Sequence, residues 1–482
     1  MKQSKVIKMF LSTAMLVSAA SALAIGTASA ADDQSAVLTS AAQVKATASK
    51  VKAGNTALTI DGSKVTVRTI QTGQTTLYAL RDVANALGAT VKSGNPDLIV
   101  TDAAGQHTLT LKADSKNYLL DGTSHQFTIT PVKSDGTLYV ELKAVIEGLG
   151  GEILTGSQEI FSVARLSGQF ANPRFHPNGN VIVNKEDGNV SVLLQLNVHG
   201  GYSAITSEDN AVGAVISPDG RTGAFTDESG KLFLIDMASG YAGPLSKDTS
   251  VKTDLTWSAD GKNIYFIQGD KQEKIAYINV DTGKITEVLA DKVENKSEVQ
   301  VSADGKKLVY FVNITGKADN DKDSTEESLQ IDYSKAGTQV FSLDLTASEA
   351  AAVQWTKDAD NKLYLSLLPD GKVVYISADP EGIVSNNVLK VISADGAKTA
   401  DLAADIDVIQ SRLLHGKLIV VGTIGDGLYK VYEISSTGIK KELYSSQAEI
   451  TEAAVSSSGT VALIADGKVV LVQDGKVTSL TQ

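Results

Sequence analysis

The sequence contains no cysteine. Disulfides, thiol catalysis, cysteine-ligated metals and a lipobox-type lipid anchor are therefore excluded together. Positive charge is also scarce: 44 Lys and Arg stand against 56 Asp and Glu, a formal charge of −12. A chain of that sign does not bind nucleic acid by neutralising phosphates. It suits a cation, a basic partner or plain solvation. Beyond the first 30 residues, no apolar run has the ~20-residue length of a bilayer span. There is no LPxTG-type sorting tail, so retention at a cell surface would have to be non-covalent. None of the five histidines forms an H-x-H or H-E-x-x-H spacing, so helix-borne zinc chemistry has no support.

What is present begins with an export signal. Lys2, Lys5 and Lys8 precede an apolar stretch, and Ala28-Ser29-Ala30 closes it as an A-x-A cleavage site. Residues 1–30 are expected to be a signal peptide. Its removal takes away three lysines and no acid, moving the charge from −12 to −15. Residues 31–54, rich in Ala, Ser, Thr and Lys, read as a flexible leader. The remaining length exceeds one ordinary core, and at least two domains are expected.

Residues 55–167 hold an imperfect duplication, TTLYALRDVANALGATV and GTLYVELKAVIEGLGGEI. Leu80, Val83, Ala84 and Leu87 fall at i, i+3, i+4 and i+7, and Leu142, Val145, Ile146 and Leu149 repeat the spacing. Each set predicts one apolar helical stripe. Gly88 and Gly150 follow at the C-cap position. Strands are expected in LTIDGSKVTV, DLIVTD, HQFTIT and EIFSVARL, which makes this domain α+β. The Y-x-L-R-x-V-A-x-A-L-G-A pattern of Tyr78 to Ala89 resembles the copper amine oxidase-like N-terminal domain, a module of secreted Gram-positive proteins. The second copy is looser, with Glu141 inserted and Lys143 in place of Arg. The resemblance implies a stalk and no copper chemistry. Amine oxidase activity would need three copper-ligating histidines and an N-Y-D/E tyrosine. Asn117-Tyr118 is followed instead by Leu119.

Residues 168–482 repeat a turn: HPNG at 176–179, SPDG at 217–220, SADG at 258–261 and 302–305, LPDG at 368–371, LHGK at 414–417 and SSSG at 456–459. The turn glycines are 41, 41, 44, 66, 45 and 43 residues apart. That period, with four short strands per repeat, predicts a mainly β fold, a seven-bladed propeller, with six or eight blades as the alternatives. Each unit reads as a short apolar strand, the turn, an alternating strand such as KNIYFIQG, a third strand and a more polar fourth. The 66-residue gap implies an insertion between Asn313 and Lys335, carrying DNDKDSTEE and read as disordered. SPDGRTGAF, SADGKNIYF and SADGKKLVY resemble the TolB-like, PD40-type propeller family, and the GH…WD signature of WD40 repeats is absent.

Candidate site residues are acidic. Asp187, Asp227, Asp270, Asp379, Asp426 and Asp466 fall between the second and third strands of their repeats, and such loops share one face of a propeller. A carboxylate ring there could present a ligand-recognition face or take calcium. The plainer reading is that Asp is the usual turn residue. Asp319, Asp321 and Asp323 alternate like a calcium loop but lack its glycine. His176 and His415 occupy equivalent turns of the first and sixth repeats and read as exposed turn residues. No cofactor is expected; calcium is the one candidate. A G-x-S-x-G nucleophile turn, which would mark a hydrolase domain, is missing after the last repeat.

These observations lead to a non-catalytic binding or scaffold protein, secreted or associated with the cell envelope of a Gram-positive bacterium. Its expected partner is a cell-wall component or an extracellular protein or glycan. The rivals are a carbohydrate lyase or hydrolase acting through channel carboxylates, and a TolB-like assembly factor.

Overall fold

The computed structural model describes residues 52–482, apart from 95–96, 188–189, 207–208, 320–329, 333–335, 348–350, 384–385 and 426. Residues 1–51, the expected signal peptide and most of the leader, lie outside the described residues. Residues from Val51 onward form one compact unit. Its first strand opens at Lys52, so the last residues assigned to the leader already belong to a sheet.

The N-terminal module has two sheets around two short helices. One seven-stranded sheet contains the hairpin Lys52–Ile60 and Ser63–Thr72, turned by Asp61-Gly62. A five-stranded antiparallel meander runs from Thr90 to Gln126. The helices α1 (Leu80–Ala86) and α2 (Leu142–Gly148) bury the expected stripes: Leu80, Val83, Ala84, Val145 and Ile146 are almost fully enclosed. Gly88 and Gly150 adopt φ of 72° and 79°. The strands leading into the two helices pair antiparallel, Tyr78 with Val140 and Ala79 with Tyr139, so the duplicated copies are joined to each other. Two expected strands are shorter than their apolar patterns: HQFTIT keeps only His125 and Gln126 in a strand, and EIFSVARL only Ile160–Phe161.

Seven four-stranded antiparallel sheets follow in succession among the described residues. Each uses four strands from its own stretch of chain, and none is completed by a strand from the other end. The innermost strands are Gln169–Phe175, Val215–Ile216, Lys252–Trp257, Lys296–Val301, Asn361–Leu367, Asp407–Leu414 and Ile450–Val455. The second strand of a sheet is not half-buried as its alternation implied. Ile264, Tyr265, Phe266 and Ile267 are all buried, because the sheet is covered on both faces. Ile264 and Phe266 pack toward the second sheet, while Tyr265 and Ile267 pack toward the fourth.

Seven apolar clusters of this kind occupy the seven interfaces, including the one between the last sheet and the first. That closing cluster joins Phe170, Val181 and Leu194 to Ile464, Val469 and Leu480. The propeller is thus a closed ring without an exchanged strand. The N-terminal module buttresses the same seam. Arg165 pairs with Glu152 at 2.7 Å and donates to the carbonyls of Ser479 and Thr481 at 3.2 and 3.4 Å. Lys476 meets Glu159 at 3.0 Å, and Gln482 N–H reaches Leu166 O at 2.8 Å.

The repeated turn has a chemical cause. In SPDG, Ser217 Oγ donates to Asp219 at 2.6 Å and accepts Thr222 N–H, while Gly220 takes φ 72°. A Cβ on Gly220 would lie 2.2 Å from Pro177 in the neighbouring turn, so glycine is needed there twice over. Ser258-Asp260 and Ser302-Asp304 repeat the bond at 2.7 and 2.6 Å. Within the insertion, Lys317–Asp319 and Gln330–Asp332 pair as a two-stranded ribbon, so its described ends are ordered where disorder was expected.

Candidate functional site in the axial channel

Three of the loop aspartates accept backbone N–H groups. Asp227 accepts the N–H groups of Ser229 and Lys231, each at 2.9 Å, and its hydrogen bond with the Ser229 hydroxyl holds the carboxyl below the usual range. Asp379 accepts those of Glu381 and Ile383, and Asp466 that of Glu449. Asp270 lies in its expected loop, and Asp187 is the last residue of its strand rather than a loop residue. Asp426, Asp321 and Asp323 fall outside the described residues; Asp319 ends a ribbon strand. Among the described residues, no three His, Asp or Glu side chains come together as a metal cage. His176 and His415 do sit in equivalent turns; His176 Nδ1 accepts Asn178 N–H at 3.3 Å. Tyr118 packs on Phe127, with ring centroids 4.4 Å apart, as a core aromatic of the module.

Another acidic set emerges inside the ring. Six of the seven innermost strands carry a β-bulge. A bulge adds an unpaired residue and re-aims its side chain. Counting four residues back from each repeated turn gives Asn172, Gly213, Asp254, Glu298, Tyr364, Gln410 and Glu452. Four of these, Asn172, Asp254, Glu298 and Tyr364, have φ between 50° and 56°. Left-handed backbone is uncommon for a non-glycine residue and a genuine outlier for one as bulky as tyrosine.

Hydrogen bonds between neighbouring sheets hold the bulges. Leu365 N–H donates to Glu298 Oε2 at 2.6 Å, and Glu298 N–H to the Asp254 carboxylate. Ala453 N–H donates to Gln410 Oε1 at 3.0 Å, and Asn172 N–H to both oxygens of Glu452 at 3.0 and 3.1 Å. The polar residue of one inner strand therefore fastens the bulge of the next.

Asp254 and Glu298 line a cleft of about 400 Å³, with Phe225, Thr226, Thr256 and Gln300. Asp254 keeps an exposed surface, yet protein surrounds it on most sides. That loss of bulk solvent pushes its carboxyl up. Burial pushes Glu298 up as well, and the Asp254 charge adds to it. Neither carboxylate has a cationic partner among the described residues. Tyr364, 37% exposed, follows on the next sheet. Across the seam the sign changes: Arg174 and Arg412 stand beside Glu452. Sequence reasoning missed this set. Its trace was a polar residue at a fixed place in strands otherwise read as apolar, as in DLTWS and EVQVS.

Residues 39–160 match the copper amine oxidase N-terminal domain family, and the module is a domain of that kind. The remainder, a β-propeller by its seven sheets, is similar to solved propellers. No curated protein matches the chain. Among solved structures, an oligogalacturonate lyase from Vibrio parahaemolyticus is 12% identical, covering 66% of this chain and 86% of its own, with a TM-score of 0.46. The β-propeller domain of the Trilobed protease from Pyrococcus furiosus is 14% identical over 66% and 97%, with a TM-score of 0.44. TolB from Acinetobacter baumannii is 13% identical over 73% and 77%, with a TM-score of 0.36. At these identities the likeness concerns the fold alone. No helix among the described residues is long and apolar enough to cross a membrane.

Proposed function

We propose that this is a secreted, envelope-associated binding protein whose recognition site is the axial channel, with the N-terminal module as its attachment element. The observation that carries the reading is the set of left-handed bulge residues. Strained backbone persists only where its surroundings hold it, and here it presents two carboxylates to one cleft, with Tyr364 following on the next sheet. Carboxylates beside a tyrosine suit a glycan, through hydroxyl hydrogen bonds and stacking on the ring, so the proposed partner is a cell-wall glycan. Binding is favoured over catalysis because Glu298 already accepts a backbone N–H at 2.6 Å, which limits its freedom to trade protons.

The test is co-sedimentation of the signal-cleaved chain with isolated Gram-positive cell walls, beside Asp254→Asn/Glu298→Gln and Tyr364→Ala. Wild type should pellet, and both variants should lose about tenfold in affinity. Variants that pellet like wild type would remove the channel from the reading; a wild type that stays soluble would remove wall attachment.

A second reading, a polysaccharide lyase or hydrolase, draws on the joint upward shift of Asp254 and Glu298, since a raised carboxyl is what a general acid needs. Release of new chain ends from a polysaccharide panel, abolished in Glu298→Gln, would replace the binding assignment.

A further inference from the structure

We propose that the opposite arc of the channel, between the sixth, seventh and first sheets, is a carboxylate-binding site with Arg174 and Arg412 as its two guanidinium donors. The proposal deepens the reading of the channel as a recognition site by naming the anionic group that its ligand carries.

Arg174 and Arg412 occupy the same repeat position, two residues before the turns at His176 and Leu414. The corresponding residue of the intervening seventh sheet is Ala454. Past that small, buried residue Arg412 Nη2 reaches Asn172 Oδ1 of the first sheet at 3.0 Å. Arg174 donates through Nη1 to Ala214 O at 2.6 Å and through Nη2 to Asn184 Oδ1 at 2.7 Å. Its Nε–H is buried and has no acceptor among the described residues. A buried donor left unmade is unfavourable, and a guanidinium donor more so.

Charge points the same way. The carboxylate facing both arginines, Glu452, has each oxygen on Asn172 N–H. Two guanidiniums against one carboxylate leave a single positive charge in excess. Burial, and then repulsion from Arg412, pull Arg174 down to about 10, and Glu452 offsets only part of this. One planar carboxylate would supply one negative charge and two acceptor oxygens, the shape a guanidinium fork binds best. A doubly charged phosphate would overshoot the single excess charge, in a protein that is already acidic.

The experiment is calorimetric titration of the signal-cleaved full chain with sodium acetate, sodium phosphate and sodium chloride at matched ionic strength. Acetate should bind saturably in the millimolar range and raise the melting temperature, with phosphate weaker and chloride without saturation. Arg412→Gln should weaken acetate about tenfold, and Arg412→Lys, which keeps the charge but not the fork, by about threefold. Saturable heat from phosphate exceeding that from acetate would overturn the carboxylate assignment. So would equal acetate affinity in wild type and both variants, or no acetate binding at all. Acetate binding that depends on Arg412, in a protein whose Asp254→Asn/Glu298→Gln variant still pellets with walls, would keep this site and remove only the Asp254–Glu298 cleft from wall recognition.

Discussion

The two arcs of the ring differ in the charges that their inner strands carry. In the third, fourth and fifth sheets the residue six before the repeated turn is Lys252, Lys296 or Lys362, and each of these side chains is fully buried. Each ammonium sits in a cup of backbone carbonyls with one aspartate: Asp248 at 2.5 Å, Asp291 at 2.7 Å and Asp360 at 2.5 Å. Two residues further on, Asp254, Glu298 and Tyr364 turn into the channel. In the first, sixth and seventh sheets that residue is Phe170, Val408 or Ile450, and the cations are Arg174 and Arg412, beside Glu452. One scaffold thus buries lysines two residues from its carboxylates on one side, and sets two arginines around one carboxylate on the other. The comparison teaches that the repeat specifies positions and shape, while charge is free to vary around the ring.

The largest expected break of that contrast is at a lysine cup. Lys296 Nζ donates to Asp291, Glu273 O and Val293 O, tying the inner strand of the fourth sheet to the third. Lys296→Met fills similar volume but leaves these acceptors without their donor, and should lower unfolding stability by about 3 kcal/mol in denaturant titration. The matched change Ile450→Met in the other arc only reshapes an apolar residue, and should stay below about 1.5 kcal/mol. Equal losses would mean that the two arcs are not built differently.

How legible this was depends on what each residue answers to. The helices of the module, its Gly88 and Gly150 caps and the turn at every repeat were readable, because each is fixed by local backbone chemistry: a 3.6-residue stripe, a positive φ, an Asp-Gly turn. The turn at Ser393-Ala394-Asp395-Gly396 shows the limit. It has the same Ser-Asp bond, at 2.6 Å, but joins a third strand to a fourth, so the motif marks a kind of turn rather than a place in the repeat. The candidate site was misplaced for a related reason. Asp227 and Asp379 stand out in sequence because turns select aspartate, which is also why their oxygens are occupied. Asp254 and Glu298 stand within strands, and only the bulge and the neighbouring sheet aim them at the axis. Those are non-local facts that no spacing within one repeat reveals.

A smaller effect would sharpen the contrast at Glu452. Glu452→Gln removes the carboxylate that offsets Arg174 and Arg412 while keeping an oxygen for Asn172 N–H. The charge excess then rises from one to two, and stability at neutral pH should fall by about 1–2 kcal/mol. The loss should shrink when sodium acetate is added, because an external carboxylate would then replace the missing one.

The smallest effect has the opposite sign. Burial and the neighbouring Asp254 raise the Glu298 carboxyl above its ordinary 4.5. An acid raised on folding keeps its proton to a higher pH in the native state than in the unfolded chain. Between those two values folding takes up a proton, and stability falls as pH climbs; above both, the full penalty of a buried charge is present. Glu298→Gln carries no charge at any pH and can still accept Leu365 N–H through its amide oxygen. The variant should therefore be more stable than wild type at neutral pH, by on the order of 1 kcal/mol. Its advantage should fade as pH falls through the raised value and be gone below 4.5. Melting curves of the two proteins at pH 4 and pH 7.5 decide it. A variant less stable at both would mean that the carboxylate is held for the ring's architecture. A gain confined to neutral pH, accompanied by lost wall binding, would mean that the charge is kept at a cost in stability because a ligand uses it.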